Sequence, residues 1–150
     1  MKKKYELTEE SIENKGIKLY RIKALKDFGV VKKGDLGGFI EKESNLSHKG
    51  NCWVFDDACV FENVRVFDNA EVFDDAWVYG NACVFDDAQV SGNARVYGRG
   101  YVFEHAHVYG NANVYDHAKV YGRARVYGEA RIHGNARVYG RECVSNVRNR

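Results

Sequence analysis

Histidine, aspartate and arginine recur in this chain at spacings that suit three kinds of chemistry. His105 and His107 stand beside Glu104, and an imidazole with a neighbouring carboxylate is the minimum for general acid–base work. His48, His117 and His133 stand apart from that group. Asp56 and Asp57 return eighteen residues on as Asp74 and Asp75, and Asp68, Asp86 and Glu104 form a second series at the same interval, with Asp87 beside it. Regular carboxylates offer a surface to a basic partner or oxygen ligands to a hard cation. No bidentate glutamate, binding-loop pattern or zinc spacing accompanies them, so neither a metal nor a cofactor is expected. Arg123, Arg125, Arg131, Arg137 and Arg141 lie among tyrosines near the C-terminal end, the combination that single-stranded nucleic-acid grooves use.

The elements that must carry these groups are set by a six-residue period. Val54, Val60, Val66, Val72, Val78, Val84, Val90 and Val96 open a series that runs without insertion through Val102, Val108, Val114, Val120, Val126, Ile132, Val138 and Val144. Self-similarity at a fixed short period is the mark of a solenoid. A small residue, usually Ala, stands two before most of these residues, as at Ala58, Ala70 and Ala76, with slips at Val64, Gly100 and Glu142. Strand side chains alternate, so the small residue and the Val share the inward side. Pairs such as Gly-Asn, Asp-Asp and Gly-Arg follow and tolerate the positive φ of corners. If three hexads close one triangular coil, residues eighteen apart stack about 4.8 Å from each other. Carboxylates at that spacing repel by about 1 kcal/mol per exposed pair in water, which a basic partner would relieve. Asp is also simply a good corner residue.

An aromatic usually follows the Val. Phe67, Phe85, Phe103, Tyr121 and Tyr139 form one uninterrupted column, Phe61, Tyr79, Tyr97 and Tyr115 a second, and Ser91 breaks the third. Rings pointing outward would make ladders that invite a second copy or a ligand; rings lying along the corners would stack only on one another. Both readings stay open here.

Residues 1–39 lack the repeat. The run from Ile17 to Leu25, behind the turn signal Asn14-Lys15-Gly16, reads as a strand in a small β-rich cap, and a cap covers backbone groups that would otherwise recruit another strand. The division expected is 1–39 cap, 40–147 solenoid and 148–150 basic tail. No apolar run approaches the roughly 18 residues of a membrane span, and MKKKYELTEE has no apolar h-region, so a cytoplasmic protein is expected. Cys52, Cys59, Cys83 and Cys143 show no metal-binding spacing, and the last three fall on different faces of a triangular coil, which suits free thiols in a reducing compartment. Net charge is only +2, yet acids crowd residues 51–92 and bases residues 119–150. That asymmetry points to a charged partner or to head-to-tail contact.

The Val, turn-residue and Ala pattern, with its leader Gly34-Asp-Leu-Gly-Gly-Phe-Ile40 and its Ala-x-Val-Tyr-Gly-Asn hexads, resembles the hexapeptide-repeat, left-handed parallel β-helix (trimeric LpxA-like) family in its phage and prophage variety. The resemblance implies an all-β fold, a left-handed parallel β-helix of about five to six triangular coils. It also implies a transferase alternative, in which His105 or His107 is the base and an acyl-coenzyme A the donor. The charge segregation favours a different reading, a non-catalytic phage or prophage interaction protein that inhibits a host protein, such as a nucleic-acid-handling defence enzyme, in the host cytoplasm. Its binding residues would be Asp56, Asp57, Asp74, Asp75, Asp68, Asp86, Asp87 and Glu104. The aromatic column Phe67, Phe85, Phe103, Tyr121 and Tyr139 would serve a homo-oligomer, a dimer or trimer, or a nucleotide-type ligand held as in a sponge. Nucleic acid is not favoured, because Arg125, Arg131 and Arg137 point from three different faces.

Overall fold

A computed structural model describes residues 3–145 and the backbone of 147–148. Residues 149 and 150 of the expected basic tail lie outside the described residues. Three strands open the chain: β1 (Tyr5–Asn14), β2 (Ile17–Ala24) and β3 (Leu36–Ile40). β1 and β2 form an antiparallel hairpin whose turn, Lys15-Gly16, places both residues at positive φ. β3 pairs antiparallel with β2 and then parallel with Cys59–Val60 of the coil. The cap therefore shares a sheet with one face of the solenoid.

From Trp53–Val54 onward, two-residue strands recur every six residues and stack in parallel on the strand eighteen positions away. The result is an all-β parallel solenoid of about six turns with three faces. One face holds the strands that begin at Trp53, Glu71, Gln89, His107, Arg125 and Cys143. A second continues from the cap, and the third begins at Arg65. The single helical element among the described residues is a 3-10 turn, Glu43–Asn45, and no described helix is long and apolar enough to cross a membrane.

The interior follows the period. Every valine from Val54 to Val138, and Ile132, is fully or almost fully buried, as are the alanines two before them. Burying one valine contributes about 1.5–3 kcal/mol, so six repeated side chains per coil supply the cohesion. The cap closes this core with large groups: Trp53 packs edge-on against Tyr5 and Phe28. Space there is tight, because a Cβ on Gly37 would lie 2.5 Å from the Val54 carbonyl oxygen and 2.7 Å from Ile22.

Two buried polar side chains brace the junction: Asn45 holds the segment after β3 to the coil above it, and Lys4 ties the cap to the first coil. Asn45 accepts from the backbone N–H of Glu41 and Lys42 and donates to the carbonyls of Glu62 and Val64. Lys4 donates to the carbonyls of Gly50 and Cys52 while its ammonium lies 4.6 Å from the centre of the Phe28 ring. Burial holds the Lys4 pKa below its ordinary value, and the two carbonyls supply what water cannot reach.

Candidate functional site

The first residue of each acidic corner has a structural task. Asp56, Asp68, Asp74, Asp86 and Glu104 all take positive φ, between 56° and 59°. Each carboxylate accepts a hydrogen bond from the backbone N–H of the next coil, at Asp74, Asp86, Gly92, Glu104 and Gly122 respectively, over 2.9–3.2 Å. A corner role therefore accounts for the backbone conformation of the first member of each pair. The second members, Asp57, Asp75 and Asp87, are exposed and accept no such bond. Asp57 receives Arg21 of the cap at 3.3 Å, whose other nitrogen reaches the Asp56 carbonyl at 3.3 Å. Asp87 lies 3.7 Å from His105 Nδ1. The four carboxylates Asp56, Asp57, Asp74 and Asp75 line a shallow depression of about 430 Å3 with Gly92 and Asn93. Among the described residues no three histidine, cysteine or acidic side chains come together to hold a metal ion.

The aromatic column stacks ring on ring within the chain. Phe67, Phe85, Phe103, Tyr121 and Tyr139 stack face to face at 4.8, 4.9, 4.9 and 5.4 Å, with ring planes within 13° of parallel. The rings are half-buried except Tyr139, which is exposed. Ring faces within the column are covered by their neighbours, so only edges are presented outward. The second column behaves alike and is completed by His133, whose imidazole lies 5.3 Å from the Tyr115 ring.

The histidines separate into two kinds. His48 stacks on Tyr5 at 4.1 Å, accepts from the Lys4 N–H at Nδ1 and faces Glu43 with Nε2 at 2.9 Å, so it belongs to the cap. That contact, with Lys3, holds the Glu43 carboxyl below its usual range. His105 and His107 stand instead in a groove of about 520 Å3 with Arg123, Arg125, Arg141 and Cys143. The parallel pairing puts His107 beside Arg125 and Arg125 beside Cys143. Partial burial, then the Arg125 and His105 charges, lower the His107 pKa, which favours the neutral imidazole.

This gathering was within reach of the sequence, since 105, 123 and 141 form one eighteen-residue column and 107, 125 and 143 another. Arg131 and Arg137 lie on the other two faces. Arg137 joins Arg99, Tyr101, His117, Lys119 and Asn135 in a second groove of about 420 Å3, which the sequence reading did not single out.

Comparison with known proteins addresses the repeat itself. Residues 88–100 and 118–134 match the family described as YdcK beta solenoid repeat. The matched segments lie within the parallel β-solenoid with its six-residue repeat. This hexapeptide-type repeat is also 38% identical over 66 residues to a protein of Escherichia coli (strain K12) named uncharacterized acetyltransferase YdcK, covering 39% of this chain. The chain spans 20% of the length of that relative.

Proposed function

We propose that this protein is a non-catalytic interaction rod that takes an arginine-rich segment of a protein partner on the ridge Asp56, Asp57, Asp74 and Asp75. The observation that carries this is the Arg21 contact: the first rung of the ridge already receives a guanidinium at Asp57 and the Asp56 carbonyl. The second rung presents the Asp75 carboxylate at the equivalent place, while the Asp74 carbonyl accepts the Asp57 N–H at 3.2 Å; neither the Asp74 nor the Asp75 carboxylate has an ion-pair partner among the described residues. Guanidinium forks suit such paired oxygens. In the phage or prophage setting that the sequence resemblance implies, the partner is a host protein with a basic, nucleic-acid-handling surface.

Titration with a short arginine-rich peptide tests it, comparing wild type with the double variant Asp57→Asn, Asp75→Asn. These two carboxylates cap no backbone N–H, and when Asp57→Asn weakens the Arg21 ion pair that guanidinium keeps Glu10 and the Gly37 carbonyl, so the variant should stay folded. Affinity should fall about tenfold, the size of a lost charge-assisted pair; equal affinity removes the proposal.

A second reading, an acyltransferase, is supported by His107 as a neutral base, by the Asp87 carboxylate beside His105, and by the name of the Escherichia coli relative. In this reading a neighbouring copy completes the open groove. Thiol release from acetyl-coenzyme A with amine and hydroxyl acceptors tests it. Turnover lost in His107→Gln supports catalysis, and no turnover by wild type removes it.

A further inference from the structure

The groove on the other corner holds three guanidinium groups on adjacent positions of two coils. Arg123 and Arg141 follow one another in the corner column, where the Arg123 N–H donates to the Gly140 carbonyl at 2.7 Å. Arg125 stands beside Arg123 on the strand, paired with His107 on one side and Cys143 on the other. None of the three has a carboxylate within ion-pair distance among the described residues; the nearest acid that forms a pair here is Asp87, which faces His105 at 3.7 Å. The second basic groove differs. There Arg99 and Arg137 stand two coils apart in sequence register, and Lys119 lies 5.8 Å from the centre of the Tyr101 ring.

We infer that the Arg123, Arg125 and Arg141 groove is a binding site for the diphosphate group of a small phosphorylated ligand. Coils rise by about 4.8 Å, which matches the separation of terminal oxygens on the two phosphoryl groups of a diphosphate. One guanidinium fork then meets each phosphoryl group, and the third, from Arg125, reaches the bridging region. His105 and His107 close the groove on the acidic side and donate N–H groups to the same oxygens. A single orthophosphate would engage one rung and bind more weakly. The site is independent of the acidic ridge, which lies on a different corner.

The experiment is calorimetric titration of the full chain with inorganic pyrophosphate, orthophosphate, adenosine diphosphate and adenosine. Wild type should bind one pyrophosphate per chain, at least tenfold tighter than orthophosphate. The double variant Arg123→Gln, Arg125→Gln should lose at least tenfold, whereas Arg99→Gln, Arg137→Gln, which removes the same charge from the other groove, should change affinity less than twofold. Equal losses in the two variants would show screening by overall charge and overturn the site, as would absence of pyrophosphate binding to wild type. Adenosine diphosphate binding tighter than pyrophosphate, with adenosine alone silent, identifies the source as a nucleotide; equal affinity identifies a free diphosphate. Binding of a short single-stranded oligonucleotide without any of pyrophosphate overturns the proposal in favour of nucleic acid. Retained pyrophosphate binding in Asp57→Asn, Asp75→Asn separates this site from the peptide ridge. The arginines are outward-facing and exposed, so circular dichroism and melting should show the variants folded.

Discussion

At solenoid corners with positive φ, the described residues are glycine or an acid, with no asparagine among them. The reason lies in what the position must supply. The N–H of the coil beyond points at the side chain, and a carboxylate offers only acceptors, leaving no donor unsatisfied. Asp74→Ala keeps the left-handed backbone with its steric cost and loses the bond to Gly92, so it should destabilise by about 1–3 kcal/mol. Asp74→Gly relieves the backbone and loses only the bond, so it should cost less. Urea denaturation of the two variants checks the order, and Ala equal to Gly would discard the account. His107 gives a pH prediction of definite sign. Its folded pKa lies below the unfolded value, so the unfolded chain binds the extra proton first. Its contribution therefore weakens stability as pH falls from near 6.5 toward the lower folded value, and is absent above pH 7.5. The melting temperature of His107→Gln should drop less than that of wild type between pH 7.5 and pH 5.

At the level of elements, the junction of cap and first coil depends on two features that lie outside the repeat. Asn45 satisfies two backbone donors and two carbonyls in a fully buried place. Asn45→Ala should therefore cost about 2–3 kcal/mol, since several backbone groups lose their partner at once. Gly37 lets β3 approach Val54 and Trp53, and Gly37→Ala should cost about 1–3 kcal/mol through overpacking. Limited proteolysis should then release residues 3–40 first while the outer coils resist, because a solenoid is held by contacts between neighbouring turns. The hairpin strand from Ile17 was readable in its alternation, and β2 ends at Ala24, one residue before the expected limit. The hydrogen bonds of Asn45 were not readable, because nothing in a Glu-Ser-Asn sequence says which distant carbonyls it will meet.

For the whole molecule, like charges recur on successive coils, acids in the earlier turns and bases in the later ones. Raising salt from 0.02 to about 0.3 M should raise the melting temperature by screening these columns, and the rise should be smaller in Asp57→Asn, Asp75→Asn. The sequence by itself determined the solenoid, the inward valines and alanines and the corner positions, because a six-residue period leaves only one way to bury every apolar side chain while alternating along each strand. It also fixed which residues share a column, so the meeting of His107 with Arg125 and of His105 with Arg123 follows from counting. Only the tertiary structure decided what those columns do. It showed that the first acid of each pair turns its carboxylate onto the next backbone N–H, and that the aromatic rings spend their faces on one another. It also showed that Arg21 crosses from the cap to Asp57. Side-chain direction at a corner depends on the φ of the turn and on which unpaired group the adjoining coil presents, and neither is written in the residue types alone.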